Sequence, residues 1–325
     1  MKAIVDDKIP YIRGQIEQLA DEVTYLAGSA ISSEDVRNAD ILIIRTRTRC
    51  NRTLLDGSKV KLIVTATIGY DHIDTIYCKA AGIRWTNCPG CNANSVCQYV
   101  HHALEATGRL NPIMTIGVVG VGHVGTLVAA DLERCGMKVL LCDPPREAAH
   151  NYVAGHPFVS LHTIQAQADI ITFHTPLTKE GPFATYHMAD EQFFQQLPHR
   201  PLIINASRGG VVDNEALLRA LRDGRVADAV IDTWEGEPSL NQELLQQVAI
   251  GTPHIAGYSA DGKANATRMS LEAVAQFIGV DFVPRISLPD APKLTVETLK
   301  DDSEQLKHHP ELFEQLRGDY PVRRE

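Results

Sequence analysis

The chain has 325 residues, 44% hydrophobic and 22% charged, with 31 Lys and Arg against 40 Asp and Glu. Its length suits two domains and its composition is globular, so fibrous, collagen-like and wholly disordered readings are excluded. A net charge of −9 argues against general nucleic-acid binding, which needs a positive surface field, and no apolar run approaches the roughly 20 residues that span a bilayer.

The N-terminus reads MKAIVDDKIP, with Asp6 and Asp7 where the apolar core of a signal peptide would lie. The seven Cys are an odd number, and a reduced, cytoplasmic setting follows more easily than a disulfide framework. Lys2–Asp6 predicts a short strand, and residues 10–20 carry apolar positions at helical spacing. Continuous apolar runs at 40–45 and 61–66 predict strands covered on both faces. A boundary is expected near Cys88–Cys91, after which Ser95 is placed to cap a helix over 96–107. Strand signals resume at 115–119, 138–143, 168–174, 201–205 and 227–232, with helical stretches between them. This alternation predicts α/β architecture with parallel sheets and right-handed crossovers. A second boundary is expected near Gly257. Residues 291–325 are unusually charged, with Leu312, Phe313 and Leu316 on one helix face after Pro310, which predicts a short helical appendage.

Gly120-Val121-Gly122-His123-Val124-Gly125 is a G-x-G-x-x-G. It follows an apolar strand, opens a helix predicted over 124–135, and precedes a second strand ending in Asp143, which is the context the fingerprint requires. The glycines permit a tight turn and close approach of a pyrophosphate, whose charge sits at the helix N-terminus. Asp143 stands where the ribose-binding acid belongs. Its carboxylate accepts from a 2′-hydroxyl and repels a 2′-phosphate, which predicts NAD rather than NADP.

Three later segments put polar residues just beyond apolar strands, where ligands bind in open α/β sheets. They are Asn205-Ala206-Ser207-Arg208-Gly209-Gly210, the stretch from Asp232 through Glu237 to Pro238, and Thr252-Pro253-His254-Ile255-Ala256-Gly257. Oxidising a 2-hydroxy acid needs a cation for the carboxylate, a base for the hydroxyl proton and an acid to hold that base. Arg208 suits the first through its bidentate fork. His254 suits the second, since an unperturbed imidazole titrates near pH 6.5. Glu237 suits the third.

With the GVVGVGHVG, LCDPPR, HTPLT, NASRGGVVD, DTWEGEP and TPHIAGYS segments together, the chain resembles the D-isomer-specific 2-hydroxyacid dehydrogenase family. Residues 65–74, 88–96, 142–146 and 254–263 resemble one branch of it most closely, whose members act on a small phosphorylated 2-hydroxy acid. The resemblance implies two Rossmann-like, doubly wound parallel-sheet domains with a short C-terminal appendage. Residues 1–92 plus 258–285 would form the substrate domain, 93–257 the NAD-binding domain, and 286–325 a shortened dimerisation-type segment. It implies that Arg208 anchors the substrate carboxylate and that Glu237 and His254 form the acid/base pair. Gly125, Asp143, Thr175, Ala206, Ser207, Asp232 and Gly257 would line the NAD pocket with the glycine-rich turn, and Thr46, Thr67 and Tyr258 would meet substrate. A homodimer is expected, with no nucleic-acid or membrane partner.

Arg45, Arg47 and Arg49 recur at period two after an apolar strand, which would put three cations on one side to meet the substrate's second anionic end. Arg45 is the favoured clamp. Cys88 and Cys91 form a C-x-x-C without a second pair, and neighbouring His101-His102 and His308-His309 do not face each other on a helix, so no metal is predicted. Two alternatives stay open: oxidation of another acid, such as 3-phosphoglycerate or hydroxypyruvate, and an NAD-sensing binding protein on the same scaffold.

Overall fold

The computed structural model of the protein describes every residue except 152 and 154–156. Its contacts divide the chain into two units: Met1–Asn92 with Ser259–Asp290, and Ala93–Tyr258 with Ala291–Glu325. The sequence set 286–325 apart as its own segment. In the structure, 291–325 pack within the second unit.

The first unit is a five-stranded parallel sheet of β1 (Lys2–Asp6), β2 (Glu22–Leu26), β3 (Ile41–Ile44), β4 (Leu62–Thr65) and β5 (Arg84–Thr86), in the order β2-β1-β3-β4-β5. Side chains alternate across it. Ala3, Val5, Ile41, Ile43 and Val64 enter one apolar layer, which the long helix Ala260–Ile278 completes with Leu271 and Val274. Ile4, Leu42, Ile44 and Ile63 enter the other. The runs are continuous in sequence because both faces are covered, and each fully buried Ile or Leu contributes about 1.5–3 kcal/mol.

The second unit repeats the principle with six parallel strands, β6 (Thr115–Val119), β7 (Lys138–Cys142), β8 (Ile170–Phe173), β9 (Leu202–Asn205), β10 (Asp228–Ile231) and β11 (Ile250–Gly251). Their order is β11-β10-β9-β8-β6-β7. The chain leaves β6 toward β7 on one side and resumes with β8 on the other. The loop after β6 therefore sits at the topological switch point, where such sheets open a crevice. No helix among the described residues is long and apolar enough to cross a membrane.

Three local expectations are corrected. Residues 10–20 make only a 3₁₀ turn at Ile16–Gln18, because Tyr11 and Gly14 take positive φ (61° and 76°) and break the helix, although Ile12 and Ile16 are buried as their spacing required. Ser95 lies inside the helix Ala93–Ala106 instead of capping it, and its hydroxyl donates to the buried Ala256 carbonyl at 2.8 Å. The period-two reading of Arg45, Arg47 and Arg49 fails because β3 ends at Ile44. Residues 45–48 turn, with Thr48 N–H on the Arg45 carbonyl at 3.4 Å, and Thr48 is buried with its hydroxyl on the Gly28 carbonyl. The strands β2, β5 and β11 carried no clear signal, being short or polar-edged.

Candidate active site

In the second unit the glycine-rich turn joins β6 to the helix His123–Arg134. Its three glycines answer to different constraints. Gly120 has φ +87°, and a Cβ there would meet the His174 backbone at 2.8 Å. At Gly125 a Cβ would lie 2.0 Å from the Gly120 carbonyl oxygen. At Gly122, the residue before the helix, a Cβ would meet nothing within 4 Å. The turn is thus closed against the protein and open where a pyrophosphate would approach, beside the first-turn N–H groups of His123 and Val124, which an α-helix leaves without intrahelical partners.

Asp143 follows β7 and accepts from Val121 N–H at 2.7 Å through one oxygen and from Arg146 N–H at 3.0 Å through the other. Each oxygen keeps acceptor capacity for a ribose hydroxyl. The Arg146 guanidinium turns back onto the Val121 carbonyl and onto Asn151. Thr175, beyond β8, is buried, and its hydroxyl has no hydrogen-bond partner among the described residues. A buried orphan hydroxyl beside an open glycine turn fits a bound dinucleotide, since an unsatisfied polar atom is costly.

Arg208 follows β9 in a turn tied by Asn205. The Asn205 amide donates to the Arg208 carbonyl at 3.0 Å and accepts from Ser207 N–H and hydroxyl at 3.2 and 2.9 Å. Gly209 makes the turn possible, for a Cβ would lie 1.9 Å from the Trp234 carbonyl oxygen. One guanidinium N–H of Arg208 rests on the Ser207 carbonyl at 2.8 Å.

Asp232 follows β10 with 1% exposure, and burial pushes its carboxyl up. One oxygen accepts from the Thr252 hydroxyl and Ile255 N–H, both at 2.7 Å. The other accepts from Ala256 N–H at 3.0 Å. Tyr99 hydroxyl extends the chain by contacting Thr252 Oγ1 at 2.6 Å. Asp232 therefore organises the loop that carries His254. That histidine has φ +58°, a backbone state costing about 1–3 kcal/mol outside glycine. Its Nδ1 lies 2.9 Å from Glu237 Oε2, and the side chain keeps 29% exposure. The other Glu237 oxygen accepts from Trp234 N–H at 2.9 Å, and Arg317 Nη1 stands 3.8 Å from Oε2. Burial alone would raise the Glu237 carboxyl, but the hydrogen bond and charge of His254, with Trp234 N–H and Arg317, hold it below the usual range.

The pair predicted from sequence, Glu237 and His254, is thus in contact, and Arg208 lies beyond the neighbouring strand of the same sheet edge. Ala206, Ser207, Gly257 and Tyr258 belong to the same two loops. Arg45, Thr46 and Thr67 belong to the first unit. Arg45 Nε stands 3.4 Å from the carboxylate of Asp6, which is 0% exposed, so part of its charge is engaged there. Thr46 is exposed. The Thr67 hydroxyl donates to the Gly69 carbonyl at 2.9 Å. Cys88 and Cys91 are buried thiols not bonded to each other, and burial raises the Cys88 thiol, whose sulfur rests on the Ala266 carbonyl.

Sequence reasoning missed His187, Arg317 and Arg323. His187 has φ +52°, contacts Glu235 Oε1 at 2.6 Å, and its N–H donates to the Gly210 carbonyl at 2.8 Å, bracing the Arg208 turn. No local signal marks any of the three, because their partners lie tens to hundreds of positions away.

Residues 98–256 match the family model described as D-isomer specific 2-hydroxyacid dehydrogenase, NAD binding domain. The chain is 55% identical to an erythronate-4-phosphate dehydrogenase of Bacteroides fragilis, covering 100% of this chain and 97% of that protein. It is 44% identical to the erythronate-4-phosphate dehydrogenase of Escherichia coli, covering 100% and 87%. Among solved structures, a D-lactate dehydrogenase from Aquifex aeolicus complexed with NAD and lactic acid superposes with a TM-score of 0.70 at 25% identity, covering 86% of this chain and 96% of that one. An NAD-bound 3-phosphoglycerate dehydrogenase from Entamoeba histolytica shares the fold, with a TM-score of 0.70 at 24% identity over 89% and 99%.

Proposed function

The chain belongs to the D-isomer-specific 2-hydroxyacid dehydrogenase family, as an NAD-dependent oxidoreductase grouped with the erythronate-4-phosphate dehydrogenases, and from that membership we propose that it oxidises 4-phospho-D-erythronate. The product is 2-oxo-3-hydroxy-4-phosphobutanoate, and the step belongs to pyridoxal 5′-phosphate biosynthesis. The observation that carries the reading is the Glu237–His254 contact at 2.9 Å on a residue held at φ +58°. A carboxylate on Nδ1 fixes the tautomer and leaves Nε2 to receive a proton.

The residues divide the work. Arg208 spends one N–H on its own turn and keeps the rest of its five donors for the substrate carboxylate. His254 Nε2 takes the C2 hydroxyl proton, and Glu237 stabilises the resulting imidazolium. A nicotinamide held in this pocket would supply the hydride acceptor for C2. Gly120, Gly122, Gly125, His123 and Val124 form the pyrophosphate cradle, Asp143 takes the ribose hydroxyls, and Thr175, Ala206, Ser207, Asp232 and Gly257 line the remainder. Asp232 acts chiefly by holding the His254 loop. Arg45 is assigned to the substrate's phosphate, and Thr46, Thr67 and Tyr258 to substrate contact. A reduced cytoplasm is carried over from the odd, scattered set of seven cysteines in the sequence. A homodimer is carried over from the family resemblance alone.

The test is nicotinamide absorbance with NAD and, in turn, 4-phospho-D-erythronate, 3-phosphoglycerate and glycerate. Preference for the first supports the reading. Equal turnover of glycerate removes the phosphate assignment, and Arg208→Lys with unchanged kcat/KM removes the carboxylate role.

A further inference from the structure

We propose that the C-terminal arm, residues 296–325, positions the acid/base pair, with Arg323 and Arg317 as positioning residues acting through the His254 loop and through Glu237. The inference rests on His254 being the acid/base.

The arm is the helix Val296–His308, a 3₁₀ turn at Pro310–Leu312, the helix Phe313–Gly318 and the closing residues. It is anchored to the last strand and the helix before it. Ser303 hydroxyl accepts from Gly251 N–H at 2.9 Å, and Lys307 Nζ donates to the Val248 carbonyl at 2.8 Å. Leu306 and Phe313 are buried in the same apolar layer as Leu244 and Trp234.

From that anchor two arginines reach the reacting pair. Arg323 is 4% exposed and donates through Nη2 to the Ala256 carbonyl at 3.0 Å, the Ile255 carbonyl at 3.4 Å and the Ser95 hydroxyl at 2.9 Å. Asp232 holds the N–H groups of the same two residues. The peptide units following His254 are therefore gripped by a buried anion on their donors and a buried cation on their acceptors. A strained φ at His254 persists only where its surroundings over-determine it, and this double grip does so. Arg317 stands 3.8 Å from the Glu237 oxygen that meets His254. Tyr320 continues the contact, its ring edge-on to Tyr258 at 6.3 Å and its hydroxyl donating to Asp302 at 2.7 Å. A cavity of about 290 Å³ lies between the arm's own residues, Asp302, Leu316 and Tyr320 among them, and Pro253, the neighbour of His254.

The experiment compares Arg323→Met, Arg323→Lys, Arg317→Gln and Arg317→Lys in the full chain with wild type and His254→Gln. Turnover is read on the same three acids, alongside NADH affinity and Tm. Arg323→Met is expected to lose on the order of tenfold to a hundredfold in kcat, because a small misplacement of a reacting group suffices. KM and NADH affinity should stay within about twofold, the pattern of an interaction felt in the transition state. The lysine variants should recover part of the loss. Long-range ¹H–¹⁵N spectra of histidine-labelled protein, with His254 assigned by its absence in His254→Gln, read the ring tautomer whether or not turnover occurs. Wild type should be protonated at Nδ1, and Arg323→Met should show a mixture. Wild-type kcat and an unchanged tautomer in Arg323→Met and Arg317→Gln overturn the inference. If Arg323→Met does not fold, the partly exposed Arg317→Gln and its lysine counterpart decide alone. Full activity in His254→Gln instead overturns the parent reading.

Discussion

The two sheets are alike in their apolar layers and unlike in how they treat polar groups at their ends. In the second unit, Asp232, Glu237 and Arg323 are fixed by donors and acceptors from segments far apart in sequence. In the first, the turn after β3 puts Thr46, Arg47 and Arg49 in solvent, and the buried Asp6 is met by a neighbouring N–H and by Arg45. The contrast fits the two tasks of the proposed reaction. Moving a proton needs a base held in one orientation, which only a satisfied buried network supplies. Holding a phosphate needs positive charge within reach, which tolerates motion.

That contrast can be broken at its strongest point first. His254→Gln should cost about 10²–10⁴ in kcat while NADH titration shows retained binding. Normal turnover would leave the network without a catalytic purpose. The next effect is steric. Gly209→Ala in the second unit places a Cβ 1.9 Å from the Trp234 carbonyl oxygen, backbone against backbone, and should cost roughly 3 kcal/mol or abolish folding. Gly14→Ala in the first unit meets nothing within 4 Å and bears only its positive φ, about 1–2 kcal/mol. Denaturant unfolding compares the two.

A third test uses pH. Burial pushes Asp302 up to about 6 from an ordinary 3.8, so the folded state favours its neutral form. Its contribution is fully present below about pH 4 and is lost as pH rises through about 6. Asp302→Asn should therefore stabilise the protein at pH 8 by on the order of 3 kcal/mol and make little difference at pH 4. Thermal unfolding at both values checks it, and an equal shift at both would remove the buried-carboxyl explanation. The smallest effect is expected in the first unit. Arg45→Lys should raise KM for a phosphorylated acid a few-fold and leave glycerate unaffected, because an ammonium keeps the charge beside Asp6 but not the guanidinium fork.

The alternation of apolar runs made both sheets legible, because parallel strands covered on two faces need continuous Ile, Val and Leu. β1 begins and ends where the pattern put it, and β6 to β10 lie within the predicted runs. Short strands such as β11 were invisible, since two residues carry no period. The glycine turn, Asp143 and the Glu237–His254 pair could be read because each sits in a motif with a local mechanical reason. Ser95 and the arginine turn misled for one reason: local propensity was outweighed by a distant buried partner, Ala256 in one case and Gly28 in the other.

The amino-acid order alone determined the parallel layers and the dinucleotide turn and supplied the side chains proposed as base, acid and cation, because these follow from short-range periodicity and from what each side chain can donate or accept. Only the tertiary structure decided which charges meet Glu237 and the loop that carries His254. Arg323 is 67 residues from Ala256 and 228 from Ser95, and a charged chain end carries no sign of burial until the packed core removes it from water and leaves peptide carbonyls as its partners.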